Sequence, residues 1–311
     1  MAGNIIFTAF ASMPAAGGSQ NLKKTADQLQ IYLENIAVTL VSAKHYNPAD
    51  TVAFITTMDN SEMPSWFTEL CTRKHIVIMQ IPFDTFTFPD SYTWTFCFYR
   101  ACVLEHLLKM DYERFCSLDA DMYVQGSFEK IFQEADQHIL LYDLNHGLGV
   151  ADYRRLMSEV EKWYGKEVYL THYGGEFVAC NRTYAQQFSA QCKKVYEQMV
   201  GRHMIVSTGD EFMYAIAAHA CGTLVKNAGG YVYRFWTRTF RLVATSYQYN
   251  AVTVLHLPSE KARGIRKIFQ RYISKDKIPP RHKVWRLCHF MHSSPRDIIG
   301  RMYLRLTREK V

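Results

Sequence analysis

Short apolar runs rich in β-branched and aromatic side chains alternate along this chain with longer segments whose apolar positions recur every three or four residues. Residues 4–10, Asn-Ile-Ile-Phe-Thr-Ala-Phe, predict a buried strand that ends in a Pro-, Ala- and Gly-rich loop over 12–19. Leu22, Leu29, Leu33, Ile36 and Leu40 then fall near helical spacing. Asn47-Pro48 stops that helix, because proline disfavours helical geometry in the residue before it. Residues 51–57 predict a second strand, 64–73 a short helix and 75–81 a third strand. Strands separated by helices predict an α/β fold with a mostly parallel central sheet flanked by helices.

The pattern continues with an aromatic-dense loop over 83–98, a helix over 95–109 and a strand over 114–118. That strand delivers Asp119-Ala120-Asp121 at its carboxyl end, where open α/β sheets bind their ligands. Farther on, helices are predicted at 152–163, 183–199 and 209–219, and strands at 177–180, 231–235 and 252–256. Beyond Pro258 the pattern becomes basic helices interrupted by Pro279-Pro280 and Pro295. The expected division is a main domain over 1–260 and a basic, aromatic, helical appendage over 261–311. No internal repeat or low-complexity segment is evident.

Composition adds charge asymmetry and a compartment. The chain has 311 residues, 48% of them hydrophobic, enough for a sizeable core. Its net charge of +7 is concentrated: residues 261–311 carry fifteen Lys and Arg against three acids, which leaves the first 260 net acidic. Lys and Arg interleaved with Ile, Phe, Trp, Met, Tyr and Leu describe an interfacial segment for an anionic surface, a cytoplasmic membrane leaflet above nucleic acid. Eight cysteines show no C-x-x-C pair, and several lie in apolar runs, which leads us to expect a reducing, cytoplasmic compartment. No basic segment precedes the short apolar run at 4–11, so no secretory leader is expected, and no run approaches a membrane span.

The chemistry concentrates at Asp119 and Asp121. Two carboxylates two residues apart, where the backbone turns at a strand end, can share one hard divalent cation. Such a cation bridges a diphosphate and neutralises charge on a departing phosphate. An Asp-x-Asp alone is common; after an apolar strand about 120 residues into an alternating chain it is far more specific.

Tyr99-Arg100 opening a helix, Tyr112-Glu-Arg-Phe closing it, and then Leu118-Asp-Ala-Asp together resemble the GT-A fold glycosyltransferases. The resemblance is to the family 8 group that contains glycogenin and the bacterial lipopolysaccharide galactosyl- and glucosyltransferases. It spans roughly residues 4–262, with only 99–132 specific. It implies a nucleotide-diphospho-sugar transferase fold, with Asp119, Ala120 and Asp121 at Mn²⁺ or Mg²⁺ and the donor diphosphate. It implies a donor contact for Arg100, and a nucleotide base and ribose bordered by Thr8, Phe10 and the loop after them. His256, ending the strand Val254-Leu-His, matches the family's third metal ligand. The family has glycine three residues after that histidine and lysine six after; here Ser259 holds the glycine position and lysine comes early, at Lys261, with Arg263 its substitute as diphosphate partner.

Two further blocks resemble the family's sugar and acceptor region. His172-Tyr-Gly174-Gly175-Glu176 leads to Asn181, with Glu176 where glycine is usual. Asp210-Glu211 opens a helix where Asp-Gln is usual. A carboxylate at Glu211 suits either a general base in an inverting transfer or a nucleophile or oxocarbenium stabiliser in a retaining one; the family retains. The expected reaction moves a hexose from a nucleotide-diphosphate sugar, a UDP-sugar first, to a hydroxyl of a glycan or lipid-linked oligosaccharide such as a lipopolysaccharide, with Asp210 and Glu211 as catalytic residues.

Other readings fit less well. A haloacid dehalogenase-like phosphatase carries its Asp-x-Asp on the first strand. A sugar nucleotidyltransferase needs a Gly-rich basic first loop, matched only faintly by Gly17-Gly18 and Lys23-Lys24. A purely anionic-surface binder has no use for the metal set.

Overall fold

The computed structural model describes residues 3–12, 28–89, 91–144, 150–235 and 246–288, with single positions at 299, 302, 303 and 306. The first half contains β1 (Gly3–Phe10), α1 (Gln28–Tyr46), β2 (Thr51–Thr56), α2 (Ser65–Arg73), β3 (Val77–Gln80), α3 (Tyr99–Leu107), β4 (Tyr112–Leu118), β5 (Met122–Val124), α4 (Glu129–Ala135) and β6 (Ile139–Asp143). The second contains α5 (Val150–Tyr164), β7 (Tyr173–Asn181), α6 (Arg182–Gly201), α7 (Asp210–Cys221), β8 (Val225–Asn227), β9 (Val232–Arg234), α8 (Ser246–Ala251), β10 (Val254–His256), α9 (Gly264–Lys275) and α10 (Arg281–Leu287).

Seven strands form one sheet in the order β3-β2-β1-β4-β7-β6-β8. All run in one direction except β7, which is antiparallel to both neighbours. Alternation along the strands builds two cores. Ile6, Phe54, Cys116 and Leu140 face α1, α2, α4 and α9; Ile5, Phe7, Ile55 and Phe115 face α3, α5, α6 and α7. Both faces are covered by helices, so the strands read as continuous apolar runs. The loop over 83–98 supplies core to the second face: Phe86, Tyr92 and Phe98 are buried, and Phe88 packs on Phe98 at 4.6 Å.

A second sheet, β5-β10-β9, has three-residue strands, with β10 antiparallel to β5 and parallel to β9. Its register sets His256 opposite Met122 on one side and beside Arg234 on the other. This small sheet brings a segment from the far end of the chain to the Asp-x-Asp turn.

Helix α1 joins the two sheets. It is buried from Leu33 to Ala43, and Asn35, Thr39 and Ser42 form a polar stripe on it at helical spacing. Each stripe residue binds backbone that would otherwise be orphaned. The Asn35 amide donates to the Lys261 carbonyl at 3.0 Å. The Thr39 hydroxyl accepts from the Met122 N–H at 3.1 Å and lies within donating distance of the Ala120 and Met122 carbonyls, and the Ser42 hydroxyl accepts from the Val124 N–H at 3.0 Å.

The basic segment corrects the expected boundary at 260. Ile265, Ile268, Phe269 and Tyr272, spaced for one helical face, are buried in the core that contains α1, and Phe269 meets Trp66 at 5.0 Å. Val284 and Cys288 join the same core, and the Trp285 indole donates to Gln125 at 3.1 Å. Residues 261–288 are therefore integral to the domain; Arg263, Lys267, Lys275, Lys277 and Arg286 lie on its solvated outer face, whereas Lys261 is buried. The reason is amphipathicity: a basic helix with one apolar stripe serves a protein core as well as a membrane. All eight cysteines are free thiols. No helix among the described residues is long and apolar enough to cross a membrane.

Candidate functional site

Strand β4 ends at Leu118, and the chain turns there. The Asp119 N–H donates to the Glu176 carbonyl at 2.9 Å, and the Asp119 carboxylate accepts from the next N–H, that of Ala120, at 2.7 Å. The chain then enters β5, where the Asp121 carbonyl accepts from the Leu257 N–H at 3.0 Å. That bond, continuing the β5–β10 ladder, seats His256 beside the motif. His256 Nε2 lies 3.4 Å from Asp121 and 3.7 Å from Asp119. One donor atom from each of the three residues falls within 4.8 Å of the others.

Whether these residues fit a metal is decided by Asp121. Its side chain is fully buried, and neither carboxylate oxygen has a hydrogen bond; His256 and the Lys261 ammonium, at 3.3 Å, are its ion-pair neighbours. A buried carboxylate without hydrogen bonds is costly unless a strong cation faces it. Two carboxylates and an imidazole make a donor set suited to Mn²⁺, with Mg²⁺ favoured less by the nitrogen. Burial raises the Asp121 pKa, but Lys261 and then His256 outweigh it and hold the carboxyl ionised, well below the usual range. Burial lowers that of His256, yet Asp121 and Glu176 carry it up to about 9. Lys261 is likewise raised, Asp121 overcoming desolvation.

Lys261 is placed by a single 3-10 turn over Pro258–Glu260 and by the Asn35 bond to its carbonyl. Its ammonium also sits 5.5 Å from the Tyr32 ring, which in turn packs on Phe10 at 5.4 Å. Lys261 therefore reaches the motif, whereas Arg263 is exposed. Thr8 is fully buried one pleat below Phe10, with its hydroxyl unbonded, and Ala120 is buried beneath Thr39.

Arg100, in the first turn of α3, spans two acids: 2.9 Å to Asp210 and 3.4 Å to Asp119. Asp210 is buried, and burial raises its pKa to about 6 against the opposing pull of Arg100. It opens α7 behind Gly209, whose φ of +65° suits glycine. The next residue, Glu211, receives the buried His172 Nε2 at 2.8 Å. Gly175 lets these groups approach: a β-carbon there would lie 2.0 Å from the Asp210 carboxylate and 3.0 Å from the Arg100 guanidinium.

The structure thus gathers Asp119, Asp121, His256, Lys261, Arg100 and Asp210 into one network, with Glu211 adjacent to Asp210 in sequence. Asn181 belongs elsewhere. It is paired with Arg114 at the start of β4, and its side chain caps α6 by accepting from the Tyr184 N–H at 2.9 Å. Glu176 belongs to the site in a way the motif reading did not assign: it lies 3.3 Å from His256 Nδ1 and 3.3 Å from Arg234. His172 stood in the sequence block without a role of its own, and Thr39 and Tyr32 were not singled out. Only the Asn35/Thr39/Ser42 stripe on an otherwise apolar helix left a trace in the sequence. A second group of metal-ligating type, Asp84, Cys102 and His106, has its own internal satisfaction, with His106 2.8 Å from Asp84 and the Cys102 thiol 3.4 Å from the Pro82 carbonyl.

No protein-family model matches this chain, and no curated protein sequence matches it. Among solved structures it is similar to mouse xyloside xylosyltransferase 1 in its apo form, with a TM-score of 0.50 and 11% identity, over 81% of this chain and 96% of that one. At that identity the likeness speaks for architecture: the chain has a GT-A-like fold, a mostly parallel seven-stranded sheet flanked by helices, with its Asp-x-Asp turn at the carboxyl edge.

Proposed function

We propose that this chain is a metal-dependent glycosyltransferase that moves a hexose from a nucleotide-diphosphate sugar, a UDP-sugar first, to a hydroxyl of a glycan or lipid-linked acceptor. The observation that carries the reading is the convergence of Asp119, Asp121 and His256 at the sheet's carboxyl edge around a buried carboxylate with no hydrogen bond to either oxygen. Asp-x-Asp after the fourth strand rather than the first also disfavours the phosphatase reading.

Asp119, Asp121 and His256 would hold Mn²⁺ or Mg²⁺, which when bound supplies charge neutralisation for a departing diphosphate. Lys261, held protonated by Asp121, adds a second positive charge on the same side. Phe10, Thr8 and Tyr32 border this end of the first strand and suit the nucleoside. Arg100 orients Asp210, and His172 orients Glu211, so that two carboxylates in the first turn of α7 are available to the sugar. Glu211, the more exposed of the two, is the group we assign to the reacting face, as nucleophile or oxocarbenium stabiliser in a retaining transfer. We place the enzyme on the cytoplasmic face of a membrane carrying the acceptor, with residues beyond 288 as its contact.

A thermal-shift screen of sugar nucleotides with and without Mn²⁺ tests the reading. Stabilisation by one nucleotide that requires metal is expected. UDP-xylose belongs in the screen because the structural neighbour is a xylosyltransferase by name. Metal-independent stabilisation, or none with any sugar nucleotide, would count against it.

A further inference from the structure

Strand β7 is irregular at the site. Its pairing with β6 jumps from Leu141↔Val178 to Tyr142↔Gly174, so that Gly175, Glu176 and Phe177 form a bulge opposite the turn at Asp119. Bulges beside active sites re-aim side chains. This one carries a carboxylate, 4% exposed, that the metal set does not use. One oxygen of Glu176 lies 3.3 Å from His256 Nδ1 and 3.3 Å from the Arg234 guanidinium, the latter on the strand next to β10. The other oxygen lies over Gly174, where a β-carbon would be 1.6 Å away. Any side chain at 174 would therefore displace the carboxylate, and the glycine there serves Glu176.

We propose that Glu176 is a positioning residue for the metal: it holds a proton on His256 Nδ1 and thereby presents Nε2, the nitrogen facing Asp119 and Asp121, as the ligand. This rests on the metal reading above. A histidine ligand donates its distal N–H to a carboxylate, carbonyl or water, which selects the tautomer and raises ligand basicity. Among the described residues the carboxylate within ion-pair range of Nδ1 is that of Glu176, at 3.3 Å, and Nδ1 is buried with no other partner. The alternative is a role confined to the Glu176–Arg234 ion pair.

Mn²⁺ binding to the whole chain, read by the electron paramagnetic resonance of free Mn²⁺ and needing no sugar substrate, separates the two. Glu176→Gln should weaken Mn²⁺ binding by roughly tenfold or more. Gly174→Ala should do the same without removing any charge, and it carries the test should the glutamine variant fail to fold. Arg234→Gln, which breaks the ion pair and leaves the carboxylate, should change Mn²⁺ binding less than threefold. Unchanged affinity in Glu176→Gln and Gly174→Ala would overturn this inference alone, as would an equal loss in Arg234→Gln. A wild-type chain that binds no Mn²⁺ would overturn the metal reading and this inference with it.

Discussion

Arg100 grips Asp210 at 2.9 Å across 110 residues of sequence, and its other terminal nitrogen reaches Asp119 at 3.4 Å. One guanidinium thus couples the first turn of α7 to the Asp-x-Asp turn. Because Asp210 is buried, its pKa near 6 lies above the ordinary value of 3.8 even with that partner. The folded chain keeps the proton up to about pH 6, while the unfolded chain loses it near 4. Stability should therefore fall as pH rises between those values, and Asp210→Asn should flatten that segment of a Tm-against-pH curve. Sugar transfer should show an acid limb near pH 6 that the same variant abolishes.

Removing the bare carboxylate should remove the metal. Asp121→Asn is expected to erase the Mn²⁺-dependent thermal shift and to slow transfer by roughly a thousandfold, several kcal/mol of barrier. The metal-free protein should remain folded by circular dichroism. A variant retaining both metal response and turnover would remove the central premise.

His256, carried to about 9 by Asp121 and Glu176, must give up its proton to ligate. Metal binding below that pH therefore releases a proton, and apparent Mn²⁺ affinity should climb about tenfold per pH unit from 6 to 8. Calorimetry in two buffers of different ionisation enthalpy counts that proton directly. A pH-independent affinity would place the third ligand elsewhere.

Glu211 and His172 should behave as a unit. Glu211→Gln should lower kcat by roughly a hundredfold or more with nucleotide affinity nearly intact if, as we propose, its role is confined to the sugar. His172→Phe should lower kcat in the same direction by less. The double variant should cost little beyond Glu211→Gln alone, because contacting residues are not additive. Additive losses would separate the two.

Thr39 supports the motif from behind. Thr39→Val keeps the shape but leaves the Met122 N–H without its acceptor, a loss of about 1–3 kcal/mol. For a chain of this size that lowers Tm by several degrees. A silent substitution would mean the turn holds itself.

Membrane attachment now needs a shorter truncation than one at Lys261, since that cut removes a site lysine and part of the core. Ile299, Met302, Tyr303 and Leu306 are exposed at i, i+3, i+4 and i+7, interleaved with Arg301 and Arg305. The chain ending at 288 should stay in the supernatant with anionic vesicles that sediment the full chain. Equal recovery of both would reject attachment.

Much of this protein was written locally. Apolar alternation placed β1, β2, β4, α6 and α7 within a few residues, and the described part of α1 with them, Leu22 lying outside the described residues, because strand and helix periods are properties of neighbouring side chains. The Asp-x-Asp turn could be placed for the same reason, since it ends a recognisable apolar strand; His256 was singled out by the family resemblance, not by its pattern. The elements that went unread, β5, β6, β8, α4 and α8, have three to seven residues, too few for a period to emerge.

Only tertiary structure decided which charges meet. Lys261 rather than Arg263 faces Asp121 because Asn35, 226 residues earlier, holds its backbone; Glu176 meets His256 because a bulge and a three-stranded sheet bring two distant strands together. The same holds for the basic helix α9, whose apolar stripe covers α1. Local sequence specifies a side chain's face and spacing, but a buried ion pair needs partners chosen by the packing of whole elements, and no window along the chain contains both.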